Sequence, residues 1–113
     1  MSLECVFCGI ASGNIPVQPV YRNEEFMAFA DLNPQAPVHV LVIPLKHFTS
    51  LMDVEDVSYL GRAMDAVREV VRILEVDEFG FRVVVNTGNN GGQTVPHLHF
   101  QILGGRVMTW PPG

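Results

Sequence analysis

Between Gln93 and Arg106 the chain reads Gln-Thr-Val-Pro-His-Leu-His-Phe-Gln-Ile-Leu-Gly-Gly-Arg, with polar groups at alternate positions of an otherwise apolar run. Side chains on a β-strand alternate between faces, so the spacing predicts that His97, His99 and Gln101 line one face while Leu98, Phe100 and Ile102 fill the other. A chain with such a strand must cover the apolar face with another layer and leave the polar face available for chemistry. Taken alone, a His-x-His pair reads as a solvated strand face. Here a glycine-rich loop, Gly88-Asn89-Asn90-Gly91-Gly92, delivers the chain into the strand and Gly104-Gly105 takes it out, which favours a reaction surface.

The rest of the chain supplies the layers. Cys5 to Ser12 reads as a short helix stopped by Gly13-Asn14. Val20–Arg22 and Phe26–Asp31 read as strands of a hairpin around Asn23-Glu24-Glu25. After the rigid loop Asn33-Pro34-Gln35-Ala36-Pro37, the β-branched run His39–Pro44 has the character of a central strand covered on both faces. From Val54 to Leu74 the apolar residues Val57, Leu60, Met64, Val67, Val70, Val71 and Leu74 recur at intervals of mostly three and four, predicting one long amphipathic helix with Asp53 as N-cap. Phe81–Asn86 returns as a strand. The expected class is α+β: an antiparallel sheet of about five strands, one long helix and a short N-terminal helix, in a single domain over residues 1–113.

Composition narrows the function. With 113 residues the buried fraction is modest, and association into a homodimer would bury more surface. A net charge of -5, with seven Lys and Arg and no basic cluster, argues against binding a nucleic acid polymer. A single nucleotide is different, since backbone N–H groups hold phosphate without a basic residue. No apolar stretch has the roughly 18–20 residues that span a bilayer, so no membrane role is expected and the chain reads as soluble and cytoplasmic. Cys5 and Cys8 are too close in sequence for a disulfide to gain much by closing a loop, which favours a metal or redox role.

The segment Gln93–Arg106, together with Pro34-Gln35-Ala36-Pro37-Val38-His39 and the terminal Trp110-Pro111-Pro112-Gly113, resembles the histidine-triad (HIT) family of nucleotide hydrolases and transferases, most closely its small nucleotide-binding branch. The resemblance runs from Cys5 to Gly113, with the motifs in order, and implies the HIT-like fold. One departure stands out. The family motif is His-x-His-x-His, and this chain has Gln101 at the third position, a pattern that also resembles the galactose-1-phosphate uridylyltransferase branch.

The resemblance implies a role for each matching residue. His99 matches the nucleophile; an imidazole can attack phosphorus if its other nitrogen is held, and a carbonyl near His97 or Gly91 is the natural holder. Asn86, Gly92 and Thr94 match phosphate contacts, and fixed donors of this kind stabilise charge developing on phosphoryl oxygens. On their own, Asn86 and the glycines read as turn chemistry. Asp31 matches a ribose-binding carboxylate. Phe7, Ile10, Ile15, Phe29 and Leu32 match apolar positions that hold the base, although core packing explains each equally well. His39 matches a fourth histidine near the triad, its alternative being a satisfied core histidine. Trp110 belongs to a tail that, in this branch, reaches toward the partner's substrate pocket.

Cys5 and Cys8 alone could be two buried thiols, and His47 alone a loop histidine. With His97 they make the two-Cys, two-His set that the resemblance assigns to zinc, and four protein ligands leave no open position, so the ion would be structural. The leading expectation is therefore a homodimeric purine nucleotide hydrolase attacking the α-phosphate of nucleoside monophosphate conjugates, phosphoramidates among them, through a nucleotidyl-His99 intermediate. Gln101 can donate only a neutral hydrogen bond to the phosphate and cannot act as general acid, which favours one alternative, a nucleotidyltransferase; the short chain, lacking a second lobe, disfavours it. The other alternative is a nucleotide-binding interaction module with little turnover.

Overall fold

The computed structural model describes residues 5–113. Five antiparallel strands form one sheet: β1 (Pro19–Arg22), β2 (Phe26–Ala30), β3 (Val38–Pro44), β4 (Phe81–Val84) and β5 (Phe100–Gly104), in the spatial order β1-β2-β3-β5-β4. The central β3 is flanked by β2 and β5, with Leu41 opposite Gln101 and Val42 opposite Phe100. This is the α+β class expected from the sequence.

Each face of the sheet has its own cover. The long helix α2 (Val57–Leu74) packs Ala63, Ala66, Val67, Val70 and Val71 against Phe26, Val40, Val42, Leu98, Phe100 and Ile102. The short helix α1 (Val6–Ser12) packs Phe7, Ile10 and Ala11 against Met27, Phe29, Leu41 and Ile43 on the opposite face. Alternation along β3 and β5 thus sends Leu98, Phe100 and Ile102 to the α2 side and leaves His39 and Gln101 on the other.

Three details differ from the sequence reading. Helix α2 starts at Val57, capped by Asp56, whose side chain accepts the Ser58 N–H. Asp53 instead closes a short 3-10 turn (Leu51–Asp53) by accepting the Thr49 N–H at 2.7 Å, and Val54 is extended, which prevents the helix from beginning there. The face of α2 is also rotated from the expected one: Val57 and Met64 are exposed, and the small side chains of Ala63 and Ala66 let the helix sit on the sheet. Finally, the sheet register begins at Phe100, so His97 to His99 form an irregular approach; all three are buried, Leu98 in the α2 cluster and the two histidines edge-on to Phe7.

Candidate functional site

Helix α1, the loop after β3 and the approach to β5 converge on four groups of the kind that can ligate a metal. Cys5 is the N-cap of α1 and accepts the Cys8 N–H on its sulfur, which brings both thiols to one end of the helix. The Nδ1 of His97 lies 3.3 Å from Cys5 Sγ, 3.5 Å from Cys8 Sγ and 3.2 Å from His47 Nδ1, and His47 Nδ1 is 3.1 Å from Cys8 Sγ. All four ligand atoms fall within 4.8 Å of one another, a group that could hold a metal ion. The opposite ring nitrogen of His97 donates to the Pro44 carbonyl at 3.0 Å, so Nδ1 carries the lone pair. Burial pushes the His97 ring down from its ordinary pKa, reinforced by the neighbouring His47 and His99, so the ring favours its neutral, ligating form. Burial and the neighbouring Cys5 push the Cys8 thiol up to about 11.

His99 is buried two residues beyond His97, with Phe7 edge-on at 5.1 Å between centroids. Its Nδ1 donates to the His97 carbonyl at 2.8 Å, one of the two holders expected. That bond assigns the tautomer: the free lone pair sits on Nε2.

His39 and Gln101 belong to a directed chain of hydrogen bonds. The Gln35 backbone N–H donates to His39 Nδ1 at 3.0 Å, and His39 Nε2 donates to Gln101 Oε1 at 2.8 Å. Gln101 Nε2 donates to Asn86 Oδ1 at 2.6 Å, and Asn86 Nδ2 donates to the Gly91 carbonyl at 2.7 Å. Asp31 stands beside the chain, its Oδ2 3.5 Å from His39 Nε2 and its Oδ1 accepting the Asn33 N–H. The expected site residues His39, Gln101, Asn86 and Asp31 are thus brought together.

The glycine-rich loop is internally bonded. The Gly92 N–H, expected to face phosphate, is spent on the Asn89 carbonyl at 3.1 Å, and Gly92 sits at φ +78 in the left-handed region. Thr94 is exposed and its N–H and hydroxyl make no hydrogen bond among the described residues. Gly91 tolerates no side chain, since a Cβ there would lie 2.3 Å from the Thr87 carbonyl oxygen.

The apolar set divides. Phe7, Ile10 and Phe29 are buried in one core cluster, Phe7 and Phe29 meeting edge-on at 5.7 Å. Ile15 is partly exposed, folded over Gly9, whose missing side chain leaves room for it; a Cβ on Gly9 would stand 2.7 Å from Ile15 Cδ1. Leu32 is fully exposed, as is most of Trp110. The tail is tied to its own sheet where Arg82, on β4, donates to the Thr109 carbonyl at 2.8 Å; Arg106, ahead of the tail, donates to the Gln35 carbonyl at 3.0 Å. A cavity of about 450 Å³ beside it is lined by Asn86, Arg82, Arg106, Thr109 and Pro112. The sequence reading missed these arginines and also Gln93, whose amide joins three separate backbone segments. No local pattern announces contacts of that kind.

Comparison with known proteins gives a consistent picture. The HIT domain family model matches residues 12–108. A 14 kDa zinc-binding protein of Brassica juncea is 40% identical over 114 residues, covering 97% of this chain and 100% of the relative. The crystal structure of a HIT family hydrolase from Legionella pneumophila Philadelphia 1 superposes with a TM-score of 0.92 at 42% identity, covering 97% of this chain and 100% of that one. A histidine triad nucleotide-binding protein from Candida albicans superposes with a TM-score of 0.83 at 30% identity, covering 96% of this chain and 83% of the other.

Proposed function

The chain belongs to the HIT family, and from that premise we propose that it is a purine nucleotide hydrolase acting on the α-phosphate of nucleoside monophosphate conjugates of the phosphoramidate type through a covalent nucleotidyl-histidine intermediate. The observation that carries this reading is the 2.8 Å bond from His99 Nδ1 to the His97 carbonyl, which leaves Nε2 as a nucleophile with its tautomer already set. In the first step Nε2 bonds to the α-phosphorus as the bond to the leaving amine breaks, the amine taking its proton from solvent because Gln101 has none to give. In the second, water attacks the phosphorus, the P–Nε2 bond breaks to return the neutral ring, and the proton of the attacking water passes to solvent.

Around that atom the remaining residues bind and orient. Asp31 receives the ribose hydroxyls on the oxygen not committed to Asn33. Thr94 offers its N–H and hydroxyl to the phosphate, Asn86 and Gln101 each keep one amide hydrogen beyond the chain described above, and Gly92 shapes the loop that surrounds the anion. Phe7, Ile10 and Phe29 form the floor of the base pocket, with Ile15 and Leu32 at its rim. His39 holds Gln101 in one orientation.

Cys5, Cys8, His47 and His97 hold a structural zinc ion in this reading. Tetrahedral zinc with ordinary Zn–S and Zn–N bonds has ligand–ligand edges of about 3.3–3.8 Å. Four of the six separations run from 3.1 to 3.5 Å and all lie within 4.8 Å, and the Pro44 carbonyl already orients the buried His97. Zinc with four protein ligands supplies folding free energy rather than a reactive water.

A homodimer completes the proposal. The edge strand β4 is bordered by exposed Phe79, Phe81 and Val107, which surround one depression with Arg82 and Arg106. Exposed apolar groups clustered at a sheet edge mark an association surface. Gln101 favours a second reading, transfer of the nucleotide to an acceptor other than water. Turnover of adenosine 5'-phosphoramidate by the wild type and by His99→Ala tests the hydrolase: release of AMP that depends on His99 is expected, whereas tight AMP binding without turnover would leave a binding module, and release only with an added acceptor a transferase.

A further inference from the structure

The side chain of Gln93 uses its amide on three backbone groups at once. Its Oε1 accepts the Gly88 N–H at 3.0 Å, while its Nε2 donates to the Thr49 carbonyl at 2.7 Å and to the Val95 carbonyl at 3.1 Å. Its own N–H bonds the Gly88 carbonyl at 3.0 Å, closing the base of the glycine-rich loop. Thr49 lies two residues after His47, and Val95 two residues before His97, so the same amide touches the segments carrying two of the four ligating groups. Those segments are also bonded directly, Leu98 N–H to the Phe48 carbonyl at 2.7 Å, and within the second the His97 N–H bonds the Val95 carbonyl at 2.8 Å.

An amide with both donors and its acceptor committed has one orientation, and displacing any of the three partners leaves a polar group unpaired. Fixing His47 and His97 on one ion fixes the Thr49 and Val95 carbonyls, and through Gln93 it fixes Gly88, the first residue of the loop. Gly88 is at φ +72, in the left-handed region, so the loop's entry depends on outside contacts to hold its shape. We propose that Gln93 is a positioning residue that, by holding the Gly88–Gly92 loop, couples metal occupancy of the Cys5–Cys8–His47–His97 group to the affinity of the neighbouring Asn86, Thr94 and Gln101 donors for a nucleotide phosphate. The inference rests on the phosphate-binding reading given above and adds that the two sites assist each other. By thermodynamic reciprocity, a nucleotide that binds better when the metal is present must raise the affinity for the metal by the same factor.

The experiment measures zinc affinity of the folded, zinc-loaded protein by equilibrium competition with a chromophoric chelator, alone and with saturating AMP or adenosine. Wild-type protein should hold zinc about five- to tenfold more tightly with AMP and unchanged with adenosine, which lacks the phosphate. Gln93→Met, similar in length but without the amide, should lose that difference and bind AMP correspondingly less well while still carrying zinc. If wild-type protein binds AMP more tightly than adenosine yet holds zinc equally with both, the coupling is overturned and the nucleotide reading stands. If AMP binds no better than adenosine, both are overturned. Full coupling retained in Gln93→Met would remove the role assigned to Gln93, and Gln93→Asn, which keeps an amide but cannot span the three partners, gives a second variant with the same expectation.

Discussion

His39 donates from Nε2 to Gln101 Oε1 at 2.8 Å, and both ends of the chain they belong to are backbone groups of fixed polarity. The Gln35 N–H at one end can only donate, and the Gly91 carbonyl at the other can only accept. Every side chain between them therefore has one orientation and one tautomer, since reversing any member would set two donors or two acceptors face to face. Gln101 is thus part of the scaffold that holds the loop, as well as a potential contact for substrate.

Gln101→His tests that dual role. A neutral histidine can also accept on one nitrogen and donate on the other, so the chain survives. When protonated it gives up the bond accepted from His39 and can hand a proton to the leaving group, acid assistance that an amide cannot give. Single-turnover rates across leaving groups of graded basicity should rise most for amines, by up to about a hundredfold, and little for groups that need no proton. Equal acceleration for all would indicate better phosphate binding instead.

Asn86→Ala breaks the chain at its last side chain and frees the Gly91 carbonyl. Each lost hydrogen bond is worth about 0.5–1.5 kcal/mol, so KM for the nucleotide should rise about tenfold while the fold persists. Steady-state kinetics together with thermal denaturation separate the two effects. An unchanged KM would place the loop's shape in its glycines alone.

Purified protein prepared without chelator should contain about one zinc per chain, and Cys8→Ala should lower thermal stability more than it changes reaction at His99. Because burial and Cys5 hold the Cys8 thiol up near 11 before metal binds, binding must expel its proton. Zinc affinity should then increase as pH rises, roughly tenfold per unit for each thiol proton released. Elemental analysis showing no metal, or an affinity flat in pH, would contradict the site.

Removal of Thr109–Gly113 should change preference among leaving groups before it changes stability. The tail borders the cavity that Asn86 also lines, and Arg82 pins it there by donating to the Thr109 carbonyl. Retention of wild-type selectivity in the truncated protein would refute this role.

Much of this was legible in the sequence because it follows from periodicity. The alternation around Phe100 fixes which face meets α2, and the spacing along Val67, Val70, Val71 and Leu74 marks the helix. What escaped was local competition and distant contact. Asp53 reads as the cap from the sequence, but Val54 is extended and Asp56, three residues on, takes that place. Gly92 carries an N–H that reads as free, but the Asn89 carbonyl takes it. The four ligating groups come from three separate segments, so only family resemblance united them. Gln93 binds a carbonyl 44 residues away, and nothing in its neighbourhood signals that.

The most direct test of the central claim is rapid-quench mass spectrometry of the zinc-loaded protein mixed with adenosine 5'-phosphoramidate. A transient adduct of one AMP should form, map to the peptide carrying His99, decay as AMP appears, and be absent in His99→Ala along with turnover. Turnover with no adduct at any time resolved, or persistence of turnover in His99→Ala, would contradict nucleophilic attack by His99 Nε2.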